Sequence, residues 1–222
     1  MTPFPPSFHP PTTAAAEAVL DRLEQAYPDA HCALIHADAW QLLVATVLSA
    51  QCTDVRVNRV TPVLFARWPG PAALAGAPVP EVAAVIHSVG CFNTKARHLV
   101  HLSQQLRDRH QGQVPAQMEQ LVALPGVGRK TANVVLGTAF GIPGMVVDTH
   151  VKRLSRRLGW TRAEDPLRIE QDLCRLLPPR RWTRAGHTLI QHGRSCCRAT
   201  TPLCGSCPIL PLCPRIGVRV SR

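Results

Sequence analysis

Two glycines that flank a single valine, Gly126-Val127-Gly128, are the feature that most restricts how this chain folds. Glycine has no Cβ, so the backbone can turn sharply there. The apolar run that follows, Thr131–Phe140, predicts a packed helix that starts directly after the turn. The first N–H groups of a helix have no partner inside it, so this arrangement predicts a site for an anion such as phosphate. Lys130 falls in the first turn of the predicted helix.

The charge of the chain favours a polyanionic partner. Its 222 residues suffice for one large domain or two modest ones. Lys and Arg number 25 against 14 Asp and Glu, giving a net charge of +11, so nucleic acid is expected first and an anionic membrane surface second. No apolar run approaches the roughly 20 residues that span a bilayer. Residues 1–12 contain five prolines and no basic region, which is typical of a flexible arm and not of a signal peptide. We therefore expect a cytosolic, soluble protein.

Nine cysteines are present, and five of them lie within residues 196–213. An odd total argues against a disulfide framework and for a metal site. Four of these residues, spaced C-x6-C-x2-C-x5-C, are the candidate ligands: Cys197, Cys204, Cys207 and Cys213. This spacing is too tight for a zinc ribbon and suits a [4Fe–4S] cluster, with a structural zinc site as the alternative. Cys196 is a fifth thiol that we expect to be a bystander.

The rest of the chain predicts an all-α fold, because it shows helical periodicity and no sustained period-two alternation. Thr13 is expected to cap the first helix, and Asp54 a later one. Pro62 predicts a kink or a break in that later helix. Residues 38–51 are apolar nearly all round, which predicts a helix buried inside a bundle.

Three motifs together carry a family resemblance. They are LPGVGRKTANVVL around the glycine turn, VDTH with Asp148 placed 18 positions after Lys130, and HGR followed by the spaced cysteines. LSAQCTDVRVN and VGCFNTKA add two further segments. With these motifs the chain resembles endonuclease III, the bacterial thymine-glycol DNA glycosylase of the helix-hairpin-helix superfamily. The resemblance covers about residues 14–213.

The resemblance implies two helical domains. Residues 33–143 would form a six-helix barrel domain that contains the helix-hairpin-helix motif. Residues 13–32 and 144–222 would form an iron–sulfur cluster domain, in which the four candidate cysteines hold a [4Fe–4S] cluster. Residues 1–12 would remain a flexible Pro-rich arm.

The resemblance also implies a base-excision-repair DNA glycosylase with AP lyase activity, which removes oxidised pyrimidines after flipping them out of the duplex. By this likeness Lys130 attacks C1′, displaces the base and forms a Schiff base, and β-elimination then cuts the strand. A lysine must lose its proton to attack, and a nearby helix N-terminus disfavours the ammonium form. Asp148 is expected to assist deprotonation or to stabilise the cationic sugar. Its place before a helix also predicts an ordinary N-cap.

The glycine turn and two loops are expected to contact DNA. The residues concerned are Gln51, Cys91, Gly126, Val127, Gly128 and Arg129. In the family, the residue that Gln51 matches fills the gap left by the flipped base. Cys91 stands where the family usually has a bulky aliphatic wedge, and apolar wedges help to unstack DNA. A thiol fills less volume than leucine, so we expect weaker support for base-pair separation.

Three alternatives remain at this point: a monofunctional mismatch glycosylase, a non-catalytic helix-hairpin-helix DNA-binding protein, and an iron–sulfur electron carrier. Lys130 argues against the first, since such enzymes activate water. Lys130 and Asp148 together argue against the second, and the third explains the cysteines alone. The expected partner is double-stranded DNA with damaged bases or abasic sites, bound by a monomer in the bacterial cytoplasm at the nucleoid.

Overall fold

The fold is built from α-helices joined by loops and short 3₁₀ turns. A computed structural model describes residues 9–222, so residues 1–8 of the Pro-rich arm expected at 1–12 lie outside the described residues. Within the described part of the chain there are eleven α-helices and no strand, which confirms the predicted all-α class. None of these helices is both long and apolar enough to cross a membrane.

The helices, in chain order, are α1 (Thr13–Ala26), α2 (Ala39–Leu48), α3 (Asp54–Arg67), α4 (Pro71–Ala75), α5 (Val79–Val85), α6 (Phe92–His110), α7 (Met118–Val122), α8 (Arg129–Ala139), α9 (Thr149–Arg157), α10 (Pro166–Leu176) and α11 (Trp182–Ser195).

Two compact units make up the described chain. One, here called the hairpin unit, is Cys32–Ile142. The other, here called the cysteine unit, joins the described residues up to His31 with Pro143–Arg222. The assignment of these parts to a barrel domain and an iron–sulfur domain stays a prediction.

The core of the hairpin unit forms around α2 and α6. Every residue of α2 from Leu42 to Leu48 is buried, as its uniformly apolar sequence predicts. On α6 the fully buried apolar residues follow helical spacing and form one face: Ala96, Leu99, Leu102 and Leu106. α4 and α5 pack against α6, and α8 packs against α2. The helix that follows the glycine turn is therefore held by the centre of this core.

The core of the cysteine unit joins α1, α9, α10 and α11. Helix α1 contributes a buried stripe that includes Leu20 and Leu23. Helices α9 and α11 approach closely at Gly193, where an added Cβ would lie 2.8 Å from the Cβ of His150. Only glycine fits this contact without movement of the neighbour. The contact places the end of α11 beside the start of α9.

Two helix caps lie one residue earlier than the sequence predicted. Thr12, and not Thr13, caps α1, because its Oγ1 accepts a hydrogen bond from the Ala15 N–H at 3.3 Å. Thr53, and not Asp54, caps α3 in the same way. A cap residue must have extended backbone while the next residue is already helical. Both threonines meet this requirement, and Asp54 becomes the first helical residue.

Of the kink or break predicted at Pro62, the break does not occur, since α3 continues through it to Arg67. Proline removes one helical hydrogen bond and usually breaks a helix interior. Here Pro62 lies on the exposed face, where water can reach the carbonyl that loses its partner. Its neighbours Thr61 and Leu64 are buried and keep the helix packed against the core.

Candidate active site and metal centre

The glycine turn joins α7 to α8 within the hairpin unit. Gly126 has φ of 77°, in the left-handed region that favours glycine. Val127 donates its N–H to the Leu124 carbonyl at 3.1 Å, which closes the turn. Leu124 and Val127 are 3% and 6% exposed, so they anchor the turn in the core. Any contact between Val127 and DNA would therefore be made by its main chain, because its side chain is buried.

Helix α8 begins directly after this turn. Gly128 is its N-cap and offers no side chain to the N–H groups of the first turn. Those N–H groups have no acceptor within the helix, which makes the helix start suitable for an anion. Arg129 and Lys130 are both exposed at this helix start. The turn thus combines main-chain donors and two cationic side chains at one place.

Asp148 lies in the cysteine unit and caps α9. Its Oδ1 accepts hydrogen bonds from the N–H groups of His150 and Val151, each at 2.8 Å. This is the N-cap that its position predicts. Because both bonds go to Oδ1, Oδ2 lies outside the cap. The cap fixes the orientation of the carboxylate, whatever further role Asp148 has.

Arg153 links the start of α9 to the first candidate ligand. Its guanidinium lies 3.1 Å from His150 Nδ1 and donates to the carbonyl of Cys197 at 2.9 Å and to that of Gly193 at 2.9 Å. Burial lowers the pKa of His150, opposed by the Asp148 carboxylate and assisted by the Arg153 charge. A neutral imidazole suits its position beside a guanidinium.

The four candidate ligands line one cavity of the cysteine unit. Cys196 and His192 line the same cavity, together with apolar side chains that include Leu154 and Ile209. Burial raises the pKa of Cys213 to about 11 and also raises that of Cys207. Thiols in such a setting hold their protons until a metal displaces them. A thiolate-ligated group therefore fits the donors and the burial of this cavity.

Cys196, the expected bystander, lies closer to a candidate donor set than the sequence predicted. The ligand atoms of His192, Cys196 and Cys207 all lie within 4.8 Å of one another. Yet Cys196 Sγ donates its proton to the Leu203 carbonyl at 3.4 Å. Cys197 Sγ instead accepts a hydrogen bond, from Arg157 Nη1 at 3.2 Å. The chemistry of the two sulfurs thus favours Cys197 as the ligand.

Sequence reasoning missed several residues around these cysteines. Arg157 also donates to the carbonyls of Arg198 and Ala199, at 2.7 and 2.8 Å, and so holds the loop after Cys197. His192 Nδ1 lies 3.0 Å from the Tyr27 hydroxyl, and burial lowers the pKa of His192 to about 4. The sequence could have indicated that Arg153 and Arg157 act at the same place, because residues four positions apart lie on one face of a helix.

Gln51 and Cys91 lie in two exposed loops of the hairpin unit. Both have left-handed backbone, with φ of 54° and 57°. The loops are neighbours, since an added Cβ on Gly90 would lie 3.6 Å from the Gln51 carbonyl oxygen. Lys95, which sequence reasoning did not single out, contacts the first of these loops.

Comparison with known proteins extends over nearly the whole chain. A model of the HhH-GPD superfamily of base excision DNA repair proteins matches residues 44–179. Endonuclease III of Synechocystis sp. is 52% identical over 200 residues, covering 90% of this chain and 91% of that protein. Endonuclease III of Bacillus subtilis is 44% identical over 198 residues, covering 89% and 90%. A solved structure of a trapped endonuclease III–DNA covalent intermediate is 44% identical, has a TM-score of 0.87, and covers 92% of this chain and 97% of that one.

These matches define the class as a helix-hairpin-helix protein of base excision DNA repair. Within that superfamily the chain belongs to the endonuclease III family. It is therefore an enzyme, a DNA N-glycosylase with AP lyase activity, which confirms the class that the sequence predicted.

The left-handed turn at Gly126 makes Gly126→Ala a sharp test of the hairpin. The new Cβ would lie 2.8 Å from His98 Nδ1 and 3.1 Å from its Cβ. We expect a loss of about 1–2 kcal/mol from the backbone and about 1–3 kcal/mol from overpacking, measured by urea unfolding. Gly128→Ala is the control, because nothing lies within 4 Å of its added Cβ. It should lose at most about 1 kcal/mol as a poorer N-cap. Equal losses in the two variants would contradict this account of the turn.

Proposed function

We propose that this enzyme removes oxidised pyrimidines of the thymine-glycol type from duplex DNA and then cuts the abasic strand through a Schiff base on Lys130. The observation that carries the proposal is the exposed Lys130 in the first turn of α8, directly after the glycine turn. The related endonuclease III was captured as a covalent intermediate with DNA. A covalent intermediate requires a nucleophile, and the amine of Lys130 is of the right chemistry.

The proposed chemistry is a displacement of the base by the amine, followed by a β-elimination. The damaged nucleotide leaves the base stack, because its C1′ cannot be reached inside the duplex. Neutral Lys130 Nζ attacks C1′, the C1′–N bond to the base breaks, and the base leaves with a proton. The C1′–O4′ bond then breaks, O4′ takes a proton from water, and C1′ and Nζ form the protonated Schiff base. Loss of a C2′ proton then expels the 3′ phosphate, and water hydrolyses the imine and frees Lys130.

Asp148 is proposed as the carboxylate that assists proton removal and stabilises the cationic sugar. Its Oδ1 accepts both hydrogen bonds of the N-cap, so the carboxylate is held in one orientation while Oδ2 lies outside the cap. A carboxylate held in this way does not have to reorient during the reaction. It therefore stabilises the positive charge that develops on the sugar in the transition state. The cap and the catalytic role are therefore compatible in one residue.

DNA binding is proposed to combine the glycine turn with the two exposed loops. Gly126 and Gly128, with the backbone of Val127, would present main-chain N–H groups to a phosphate, and Arg129 would add a charge. Gln51 would fill the space left by the flipped base. Cys91 would wedge between bases on the opposite strand, less effectively than a larger aliphatic side chain. Bound to duplex DNA in this way, the enzyme would act at the nucleoid in the bacterial cytoplasm.

The proposed cofactor is a [4Fe–4S] cluster held by Cys197, Cys204, Cys207 and Cys213. Its support is the set of thiols lining one cavity, with a guanidinium donor at Cys197 Sγ. Four thiolate bonds would fold a loop that has little core of its own. No step of the proposed reaction uses the cluster.

Borohydride trapping tests the nucleophile. Incubated with abasic duplex and borohydride, the enzyme should form a covalent adduct, because the reductant fixes the Schiff base. Lys130→Ala should form none. The matched control is Lys152→Ala, on α9, which should form the adduct as the unaltered enzyme does. An adduct with Lys130→Ala, or none with the unaltered enzyme, would remove the proposed mechanism.

Asp148→Asn separates catalysis from capping. Asparagine caps helices about as well as aspartate, so the free energy of unfolding should change by less than about 0.5 kcal/mol. Loss of the charge should lower single-turnover base removal by about 10²–10⁴-fold. If base removal stays near the rate of the unaltered enzyme, Asp148 is only a cap.

The cluster ligands can be tested by colour and metal content. The purified enzyme should be brown, with broad visible absorption and about four irons per chain. Cys197→Ala should lose both colour and iron, while Cys196→Ala should keep them. A colourless protein with one zinc would exclude the cluster. Loss of iron in Cys196→Ala alone would assign the ligand to Cys196.

A further inference from the structure

Lys95 is a buried cation whose partners are main-chain carbonyls. Its residue is 6% exposed, and Nζ donates to the carbonyl of Leu48 at 2.9 Å and to that of Ala50 at 2.6 Å. The chain has only three lysines among its 25 Lys and Arg residues. The compact ammonium suits two converging carbonyls in a closed space, whereas a guanidinium is planar and larger.

On one side Lys95 holds the loop that carries Gln51. Helix α2 ends at Leu48, and the last carbonyls of a helix have no donor within it. The ammonium supplies that donor and complements the negative end of the helix dipole. Gln51, directly after Ala50, has φ of 54°. A left-handed residue other than glycine is unfavourable by itself, so its surroundings must impose it.

On the other side Lys95 is tied to the loop that carries Cys91. Cys91 is the N-cap of α6 and has φ of 57°. Its carbonyl accepts the Lys95 N–H at 3.0 Å. One residue therefore binds Cys91 through its main chain and the segment around Gln51 through its side chain. Gly90 lies against the Gln51 carbonyl, where an added Cβ would be 3.6 Å away.

This placement is unfavourable for the lysine itself. Burial lowers the pKa of Lys95, opposed by the nearby Cys52 and Cys91. Lys95 is also a residue of the first turn of α6, the end of a helix at which a positive charge is unfavourable. An apolar side chain of similar length would avoid both penalties. The lysine is therefore explained by its hydrogen bonds, which hold the two loops in place.

We propose that Lys95 is a positioning residue that fixes Gln51 and Cys91 relative to each other, so that both side chains enter the duplex together at the lesion. The inference rests on the proposed DNA contacts of Gln51 and Cys91. It adds that their spacing is set by a single buried ammonium that does not itself contact DNA.

A double-mutant cycle with Lys95→Met and Gln51→Ala tests the proposal. Binding is measured to duplexes with and without a tetrahydrofuran abasic analogue, and 2-aminopurine opposite the analogue reports unstacking. Lys95→Met should weaken binding to the analogue duplex by about tenfold and reduce the fluorescence increase. Binding to undamaged duplex should change little. The double variant should be no weaker than the weaker single variant, since both remove the same interaction.

Gln104→Met is the matched control. Gln104 lies on the same helix α6, and its Nε2 donates to the carbonyl of Ala75, where α4 ends, at 3.1 Å. This variant should lower the melting temperature without changing the preference for the analogue duplex, and its effect should add to that of Gln51→Ala. If the effects of Lys95→Met and Gln51→Ala on binding also add, the proposal is overturned.

Lys95→Arg keeps the test valid if Lys95→Met does not fold. The guanidinium retains charge and donors but changes their geometry. It should fold and lose part of the preference for the analogue duplex, and an unchanged preference would overturn the proposal. If the unaltered enzyme shows no preference for the analogue, or Gln51→Ala binds it normally, the proposed DNA contacts fail instead of the role of Lys95.

Discussion

Long basic side chains that donate to main-chain carbonyls hold the segments on which function depends. Helix ends and loops leave carbonyls without partners, and a buried carbonyl without a donor is costly. Lys95 supplies donors to the end of α2. Arg153 and Arg157 do so for the end of α11 and the loop after Cys197. Arg184 donates to the Ala30 carbonyl at 2.6 Å, beyond the end of α1.

Because basic residues bind the protein's own carbonyls, the net charge is a poor measure of how many of them can contact DNA. A charge of +11 was the first reason to expect a polyanionic partner. Several of those side chains donate to carbonyls of the protein itself, so the count overstates how many of them can contact phosphate directly. Arg129 and Lys130, by contrast, are exposed at the start of α8. The position of the charges, and not their sum, identifies the surface proposed to bind phosphate.

Sequence reasoning predicted the features that depend on local pattern. The all-α class follows from helical periodicity, and the glycine turn from two residues that permit a left-handed backbone. It erred where tertiary packing outweighed a local rule. Pro62 usually breaks a helix, yet its exposed position and buried neighbours keep α3 intact. Thr12 and Thr53 became the caps because each has the extended backbone that a cap requires.

The sequence alone determined the family, the turn that precedes Lys130, and the group of cysteines, because each is written in residues close together along the chain. The tertiary structure decided how the loops are held. The left-handed backbones of Gln51 and Cys91 follow from no propensity of their own, and the first is supported by Lys95, whose bond to Leu48 joins residues 47 positions apart. The bond from Arg157 to Cys197 spans 40 positions. Hydrogen bonds over such separations leave no periodic trace in a sequence, so only the folded chain reveals them.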